Sequence, residues 1–252
     1  MSQDLTEPGG LTRLFVEAPL GADSALTLDE DQSHYLTHVL RARPGDTVRL
    51  FNGKEGEWRA RVAAVTKRAV TLSLGAQTLP QTGVPDIWLC LAPIKRTPLD
   101  YTTQKATELG ASRIQPVMTR RTIVARVNLD RMRANAIEAA EQCGRLSIPE
   151  IAEPASFEKL LSAWPGERQL IFCDEAGEAP PAADALRARS RGPWAIITGP
   201  EGGFDPAERS RLRELPFVVP VSLGPRIMRA DTAALAALAV WQSALGDWNF
   251  AP

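Results

Sequence analysis

The sequence predicts an α/β protein in which a domain with a mostly parallel sheet follows a small β-rich domain. From Asp86 onward, short apolar stretches alternate with helical stretches, as they do in parallel sheets. Before residue 80, short strands alternate apolar and polar side chains around turn residues. Two Gly-rich segments near the end of the chain each follow an apolar stretch, the position at which parallel sheets bind ligands.

The small β-rich domain is predicted to occupy residues 1–79. Residues 47–51, 58–62 and 69–74 alternate apolar and polar side chains, and Asn52-Gly53 supplies a turn between the first two. This pattern is typical of antiparallel hairpins. An extended stretch at residues 14–16 precedes them, and the Pro- and Gly-containing residues 80–85 are interpreted as a linker.

The second domain is predicted to occupy residues 86–252. Its expected strands are residues 87–91, 113–118, 169–173, 194–197 and 217–221. Helices are expected near residues 98–109, 129–145, 181–190 and 206–214. The last stretch, residues 230–245, has the length and the Ala and Leu content of a buried helix.

The two Gly-rich segments predict a small-molecule pocket. The first runs from Thr198 to Phe204 (TGPEGGF) and the second from Ser222 to Arg229 (SLGPRIMR). Between them, Asp205 at the N-cap, Pro206 at the first helical position and Glu208 at the third predict a helix start. We expect the two loops to lie at neighbouring strand ends. For either loop alone, a tight turn that binds nothing is the alternative, and finding two such loops favours the pocket.

Neither loop matches the common nucleotide-binding motifs. No Gly-x-Gly-x-x-Gly opens a helix after the first strand of the second domain, and no Gly-x-x-x-x-Gly-Lys-Ser/Thr occurs. A dinucleotide site and a P-loop therefore lack support.

Composition is that of an ordinary globular protein. The 252 residues are 44% hydrophobic and 23% charged, no apolar run has the length of a bilayer, and residues 1–7 are polar and acidic. The three cysteines, Cys90, Cys143 and Cys173, are odd in number and widely spaced, which indicates neither a disulfide framework nor a zinc site. We expect a cytoplasmic protein with no membrane contact.

Positive charge is concentrated in the middle of the chain. The formal net charge is −1, but residues 95–145 carry ten Lys or Arg against five Asp or Glu. Since binding to phosphates needs a local basic surface, this segment is the candidate RNA surface, and a solvated helix face is the alternative. Its candidate residues are Lys95, Arg96, Arg120, Arg121, Arg126, Arg131, Arg133 and Arg145.

The two histidines, His34 and His38, are four residues apart on an expected helix, a spacing that can present two ligands to a metal. The chain has no further His and no Cys near them in sequence. Packing or RNA contact is therefore favoured, and no metal is expected.

The two Gly-rich loops together resemble the C-terminal signature of the SPOUT class of S-adenosylmethionine-dependent RNA methyltransferases. Within that class they resemble the RsmE family of 16S ribosomal RNA (uracil-N3) methyltransferases. Met228 stands where that family usually has Leu, and Asp231 where it usually has Glu; both are mild departures.

Further motifs extend the resemblance over nearly the whole chain. His34-Tyr35-Leu36 with Val39-Leu40-Arg41 and Gly45-Asp46 matches the family's N-terminal motif. Lys95-Arg96, residues 105–110 (KATELG) and residues 138–145 (EAAEQCGR) match its middle. Because all of these motifs occur in order at compatible spacings, the assignment is specific.

The resemblance implies a PUA-like β-barrel that helps to hold RNA, followed by a SPOUT-type α/β domain with a C-terminal trefoil knot around residues 199–229. It also implies a homodimer, S-adenosyl-L-methionine as cofactor, and 16S ribosomal RNA or the small ribosomal subunit as substrate. The alternatives are a knotted methyltransferase that acts on another RNA, and a non-catalytic RNA-binding module that retains the pocket.

Main-chain groups of both loops are expected to hold the cofactor through hydrogen bonds. The candidates are Thr198, Gly199, Pro200, Glu201, Gly202, Gly203, Ser222, Leu223, Gly224, Arg226, Ile227 and Met228. Arg229 is the candidate for stabilising a developing uracil anion, since a guanidinium suits that charge. Arg226 is a weaker candidate, because it could simply brace the loop. Glu201 could accept the N3 proton or cap the local backbone. No His, Cys or Ser arrangement suggests a covalent nucleophile.

RNA contacts are expected in both domains. The candidates are Arg13, Arg41, Lys95, Arg96, Arg120, Arg121, Gln142 and Arg145. On the helix expected up to residue 145, Glu138, Gln142 and Arg145 share one face, and ordinary intrahelical pairs are the alternative. Residues Ala139, Ala140 and Cys143 are expected on its buried side.

Overall fold

The structure is a computed structural model that describes residues 12–175 and 179–249, so the polar start at residues 1–7 lies outside the described residues. The described chain forms two compact units. The first comprises residues 12–83 together with Ala140–Ile148, and the second comprises Val84–Ala139 and residues 149–249. A short segment from the middle of the chain thus belongs with the N-terminal strands.

The first unit is built on a five-stranded sheet. Its strands are β1 (Arg13–Phe15), β2 (Ala25–Thr27), β3 (Thr47–Phe51), β4 (Glu57–Val65) and β5 (Val70–Leu79), in the order β1-β3-β4-β5-β2. The strands β1 and β3 are parallel and the other pairs are antiparallel, which confirms the predicted hairpins. A short helix, α1 (Glu30–His34), is capped by Asp29 and continues into a π-helical turn at Tyr35–Val39. Inward-facing aliphatic side chains such as Val48, Leu50 and Leu72 form the core.

The second unit alternates strands and helices as predicted. Its strands are β6 (Ile87–Leu91), β7 (Arg113–Met118), β8 (Glu150–Ile151), β9 (Ala155–Ser156), β10 (Gln169–Cys173), β11 (Trp194–Thr198) and β12 (Val218–Val221). Its helices are α2 (Arg96–Glu108), α3 (Leu129–Cys143, of which the last residues belong to the first unit), α4 (Phe157–Ser162), α5 (Ala182–Arg187), α6 (Pro206–Glu214) and α7 (Ala230–Ala244), followed by a 3₁₀ turn at Asp247–Asn249.

The sheet of the second unit has the order β12-β10-β11-β6-β7-β8, with β9 paired to β7, and every pair is parallel. The expectation that the two Gly-rich loops follow neighbouring strands is therefore wrong, because β10 lies between β11 and β12. Strand order depends on where each crossover leads the chain, and local sequence patterns do not encode that choice. The end of β10 consequently lies between the two loops.

Both faces of this sheet are covered by helices. Along β11, Ile196 packs into a core with residues of α2, α5 and α7, whereas Ala195 and Ile197 pack into a second core with residues of α4 and α6. Adjacent strand residues point to opposite faces, so a strand buried on both sides is apolar throughout. The helix α7 buries Leu238 and Trp241, as expected for the last stretch. None of the helices in the described part of the chain is long and apolar enough to cross a membrane.

Candidate active site

The first glycine loop, residues 199–205, follows β11 and is held by hydrogen bonds and by a side chain buried in the core. The buried carbonyl of Thr198 accepts a hydrogen bond from Ala92 N at 3.1 Å. Gly203 has a φ of +66°, which favours glycine, and its N–H donates to Pro200 O at 2.9 Å. Phe204 is buried, and its ring lies edge-on to Phe172 with centroids 5.4 Å apart. The protein core thus fixes the conformation of this loop.

The predicted helix start follows the loop directly. Pro206 begins α6, and the Asp205 carboxylate accepts a hydrogen bond from Ala207 N at 3.0 Å. The carboxylate of Glu208 accepts one from Asp205 N at 3.1 Å, which completes a capping box.

The segment after β7, residues 119–121, is bound to the first glycine loop and the start of α6. Arg120 N donates to Glu208 Oε1 at 2.8 Å, and the Arg120 guanidinium, which is exposed, reaches Asp205 Oδ1 at 3.2 Å. Arg121 Nη1 donates to Gly202 O at 3.0 Å. Of these two predicted RNA contacts, Arg121 therefore also contacts a residue predicted to hold the cofactor, Gly202, and Arg120 contacts the capping residues that follow the loop.

The second glycine loop, residues 222–229, is held at its beginning. Ser222 N donates to Pro180 O at 2.8 Å, Ser222 O accepts from Ala182 N at 2.9 Å, and Ser222 Oγ accepts from Gly224 N at 3.2 Å. Leu223 packs against the core shared by α2, α5 and α7. Beyond that point the loop opens to solvent. Gly224 has a φ of +109°, no atom lies within 4 Å of where a Cβ would be, and Ile227 is 93% exposed.

Three candidate side chains of the two loops face solvent. Arg229 is the N-cap residue of α7, where its carbonyl accepts a hydrogen bond from Ala233 N at 2.8 Å while its side chain is not used for capping. Arg226 and Glu201 are also exposed. Within residues 12–175 and 179–249, none of these three side chains makes a hydrogen bond or ion pair. The bracing considered for Arg226 and the backbone capping considered for Glu201 therefore have no hydrogen bond to support them.

Two acidic residues that sequence reasoning missed follow β10, between the two glycine loops. Asp174 is buried and forms an ion pair with Arg213 at 2.6 Å. Glu175 forms an ion pair with Arg209 at 2.5 Å, and its Oε1 lies 2.7 Å from the position of a Cβ added to Gly203. A larger residue at position 203 would displace this carboxylate. The sequence signal that could have identified Asp174 and Glu175 is their position directly after an apolar strand.

The cysteines on β6 and β10, Cys90 and Cys173, are not activated. Burial raises the pKa of Cys90 to about 12. The pKa of Cys173 is also raised to about 12, first by burial and then by the negative charge of Glu175. Both thiols are thus protonated at neutral pH.

The basic residues of the second unit differ in whether they form ion pairs within the described part of the chain. Lys95 and Arg96 lie at the start of α2 and are exposed. In contrast, the guanidinium of Arg131 donates to Asp100 at 2.6 and 2.8 Å, and this contact lowers the pKa of the Asp100 carboxyl. Arg131 therefore forms an ion pair within the protein. For this residue, the structure favours the alternative of a solvated helix face with internal pairs over an RNA contact.

In the first unit, Arg13 has a structural role that corrects the expected RNA contact. Only 5% of its side chain is exposed, and its guanidinium donates to Glu57 at 2.7 Å, to Ala140 O at 2.7 Å and to Arg145 O at 3.0 Å. Arg13 thus binds the carbonyls at the end of α3, and its guanidinium is engaged there rather than displayed to solvent.

The motif at residues 138–145 also differs from expectation in part. Ala139 and Ala140 are buried as expected, but Cys143 is exposed, so its predicted burial is wrong. The reason is that α3 ends at Cys143: Gly144 has a φ of +84° and terminates the helix. Arg145 therefore follows the helix instead of lying on its face.

Two of the RNA candidates in the first unit are exposed. They are Gln142, on the last turn of α3, and Arg41, which has a φ of +56°. The rings of His34 and His38 stack with centroids 4.3 Å apart, and Thr37 Oγ1 lies 2.8 Å from His38 Nδ1. Among the described residues, no group of three or more His, Cys, Asp or Glu could hold a metal ion.

Comparison with known proteins gives the class that this fold and site define. A family profile described as an RNA methyltransferase domain matches residues 80–242, and one described as an RNA methyltransferase PUA domain matches residues 28–75. The fold and site are therefore those of a PUA-containing RNA methyltransferase. Together with the relatives below, these matches place the chain in the ribosomal RNA small subunit methyltransferase E family.

Individual members of that family match over most of their length. The Rickettsia conorii protein is 31% identical over 90% of this chain and 93% of its own length, and the Synechocystis sp. protein is 33% identical over 90% and 76%. A crystal structure of the Neisseria gonorrhoeae protein bound to S-adenosyl methionine superposes with a TM-score of 0.86 at 30% identity, covering 95% of this chain and 100% of that chain.

Proposed function

We propose that this chain transfers the methyl group of S-adenosylmethionine to N3 of a uridine in 16S ribosomal RNA. The observation that carries the proposal is the pair of glycine loops at the carboxyl edge of one parallel sheet, with the exposed guanidinium of Arg229 at the end of the second loop. Membership of the methyltransferase E family and the S-adenosyl methionine bound to the Neisseria relative support it.

The residues of the two glycine loops fit such a cofactor. A Cβ added to Gly202 would meet only Arg121, at 3.7 Å, and one added to Gly224 would meet nothing within 4 Å. The main chain is therefore open to close approach at these two glycines, and backbone groups of residues 198–203 and 222–228 that are not already hydrogen-bonded can bind adenine, ribose and the amino-acid tail. When bound, S-adenosylmethionine supplies an electrophilic methyl group, and the exposed carboxylate of Glu201 suits its positive charge.

The uracil ring requires two further contributions from the chain. Its N3–H must lose or share a proton before the nitrogen can act as a nucleophile, and the ring then becomes anionic. We assign Arg229 to stabilise that anion, because its guanidinium is exposed and has no protein partner among the described residues. Glu201 is the candidate for accepting the proton, since its carboxylate is likewise exposed and makes no hydrogen bond in the described chain.

The finer features of the family are also part of this proposal. We place the reaction in the cytoplasm on 16S ribosomal RNA or the small ribosomal subunit, and we propose a homodimer. The strand order β12-β10-β11, with α7 returning to pack against β11 and β6, supports a trefoil knot around residues 199–229. Exposed RNA-facing candidates are Arg41, Lys95, Arg96, Arg120, Arg121 and Gln142.

The test is incubation of the protein with labelled S-adenosylmethionine and small ribosomal subunits from cells that lack the enzyme. Digestion of the RNA to nucleosides and mass spectrometry should then identify 3-methyluridine. Methyl on a carbon or on a ribose oxygen would contradict the proposed chemistry. Methylation of transfer RNA but not of the subunit would favour another RNA substrate, and cofactor binding without transfer to any RNA would favour the non-catalytic module.

A further inference from the structure

Glu208 uses both oxygens of its carboxylate, and each oxygen accepts a hydrogen bond from a different segment. Oε2 accepts from Asp205 N at the end of the first glycine loop, at 3.1 Å, and Oε1 accepts from Arg120 N at 2.8 Å. The side chain is buried, with only 3% of the residue exposed.

Capping of α6 does not require the second of these bonds. A capping box needs one carboxylate oxygen and is ordinarily a surface feature, whereas here the other oxygen binds the segment that follows β7. The strands β7 and β11 are separated by β6 in the sheet, so Glu208 connects loops that do not follow adjacent strands.

Two arginine side chains reinforce the same connection from the opposite direction. The guanidinium of Arg120 reaches Asp205 at 3.2 Å, and that of Arg121 donates to Gly202 O at 3.0 Å. Residues 119–121, which we call the basic loop, are therefore joined to the first glycine loop and its capping residues by three side-chain contacts. Hydrogen bonds with one charged partner are stronger than neutral ones, and a buried carboxylate that loses a partner is costly.

We propose that Glu208 is a positioning residue that couples RNA binding at the basic loop to cofactor binding at the first glycine loop. The inference rests on the proposed function, in which these two loops contact RNA and cofactor. A phosphate bound to Arg120 and Arg121 restricts the basic loop, and Glu208 transmits that restriction to the glycine loop. Because the core already fixes the internal shape of the glycine loop, this restriction fixes the loop's position relative to the basic loop, and the cofactor then binds a loop that is held in that position. By thermodynamic linkage, RNA and cofactor each raise the affinity of the protein for the other by the same factor.

The test variant is Glu208→Gln, which keeps the shape of the side chain but offers one oxygen and one NH₂ group. One of the two backbone N–H groups then faces a donor and loses its acceptor. The matched control is Glu214→Gln, which removes the same charge from an exposed position on α6.

The measurement is the affinity of the full chain for S-adenosylhomocysteine, which carries no methyl group to transfer, with and without saturating unmethylated small ribosomal subunits. For the wild type and Glu214→Gln, subunits should raise the affinity by about fivefold or more, the lower end of typical coupling. For Glu208→Gln the gain should fall below about twofold.

Arg121 gives a second pair of variants if Glu208→Gln does not fold. Arg121→Lys keeps a charged donor for Gly202 O and should retain the gain, whereas Arg121→Met keeps only the stem and should lose most of it.

The coupling is overturned if Glu208→Gln shows the full gain, or if the wild type binds both ligands with no gain. Failure of the proposed function has a different signature, because the wild type would then either bind no cofactor with or without subunits, or bind it without transferring a methyl group to subunit RNA.

Discussion

The two glycine loops each contain a Gly-Pro pair but differ in how the protein holds them. The first loop has a buried aromatic anchor, Phe204, a capping box after it and Arg121 donating to its backbone. Past its beginning, the second loop has no such anchors among the described residues: none of them except its own chain neighbours lies within 4 Å of the Cβ position of Gly224, and Ile227 is 93% exposed. Folding therefore fixes the first loop, and we expect ligands to order the second.

This difference assigns separate tasks to the two loops. A loop that the core holds rigid can present backbone groups at fixed positions, which reduces the entropy lost on binding. A loop with unpaired side chains can instead direct them at a substrate, as we propose for Arg229. Variants in the two loops should therefore have different effects, and the predictions below run from the largest to the smallest.

The largest effect is expected on stability, in the first loop. Phe204→Ala should lower the free energy of unfolding by about 3–5 kcal/mol, because it removes a fully buried ring from a packed core. The matched change in the second loop, Ile227→Ala, should alter it by less than about 0.5 kcal/mol, since that side chain is exposed. Denaturant titration measures both, and equal losses would contradict the comparison.

The next effect is expected on the rate, in the second loop. Arg229→Ala should lower the single-turnover methylation rate by about 10²-fold or more, the usual loss when one charge-stabilising donor is removed. Affinity for the cofactor should change only a few-fold, because the contact forms mainly in the transition state.

Arg226→Ala is the control for that experiment, and we expect it to weaken cofactor binding with little change in the rate at saturation. If Arg229→Ala lost affinity and rate in proportion, Arg229 would act on the loop rather than on the uracil.

Valine substitutions at the two glycines distinguish strain from blocked access. Gly224→Val should abolish cofactor binding and also cost about 1–3 kcal/mol of stability, because a φ of +109° is strained for a side chain. Gly202→Val should abolish binding at little cost in stability, since its added Cβ meets only Arg121 at an ordinary 3.7 Å. Calorimetric titration measures cofactor affinity, and thermal melting measures stability. Undiminished cofactor affinity in both variants would contradict the assignment of the two loops as the cofactor pocket.

The smallest effect is expected in thiol chemistry. At pH 8 only about 10⁻⁴ of a thiol with a pKa about 12 is ionised, so Cys90 and Cys173 should react slowly with an alkylating reagent. Their reactivity should rise as the pH approaches that pKa, while the exposed Cys143 should react first.

Because Cys90 and Phe204 belong to the same packed cluster, Phe204→Ala should accelerate alkylation of Cys90. Peptide mapping of the alkylated cysteines measures this, and rapid labelling of Cys90 in the wild type would show that the first loop is not fixed.

Much of the fold could be predicted because its signals are local. The strands at residues 87–91, 113–118 and 169–173 have the predicted bounds, since each is a short apolar run between turn or helix signals. The helix α6 has its predicted bounds because a cap and a proline fix its start. The position of β10 between β11 and β12 was missed, because the order of strands depends on long crossovers.

The glycine loops could likewise be located from local motifs, whereas the residues that hold the site together could not. Arg13 bonds to a carbonyl 127 residues away, and Glu208 bonds to a backbone N–H 88 residues away. From the sequence, Arg13 was predicted to contact RNA and Glu208 to cap a helix. Their roles depend on partners that only the folded chain brings close.

Hydrogen exchange with and without S-adenosylmethionine tests most directly the claim that folding fixes the first glycine loop and ligand completes the second. In the free protein, residues 199–205 should already be protected, because Gly203 N and Asp205 N are hydrogen-bonded, whereas residues past Gly224 in the second loop should exchange quickly. Saturating cofactor should slow exchange strongly in residues 222–229 and only slightly in residues 199–205. Unchanged exchange in the second loop at saturating cofactor would contradict the account.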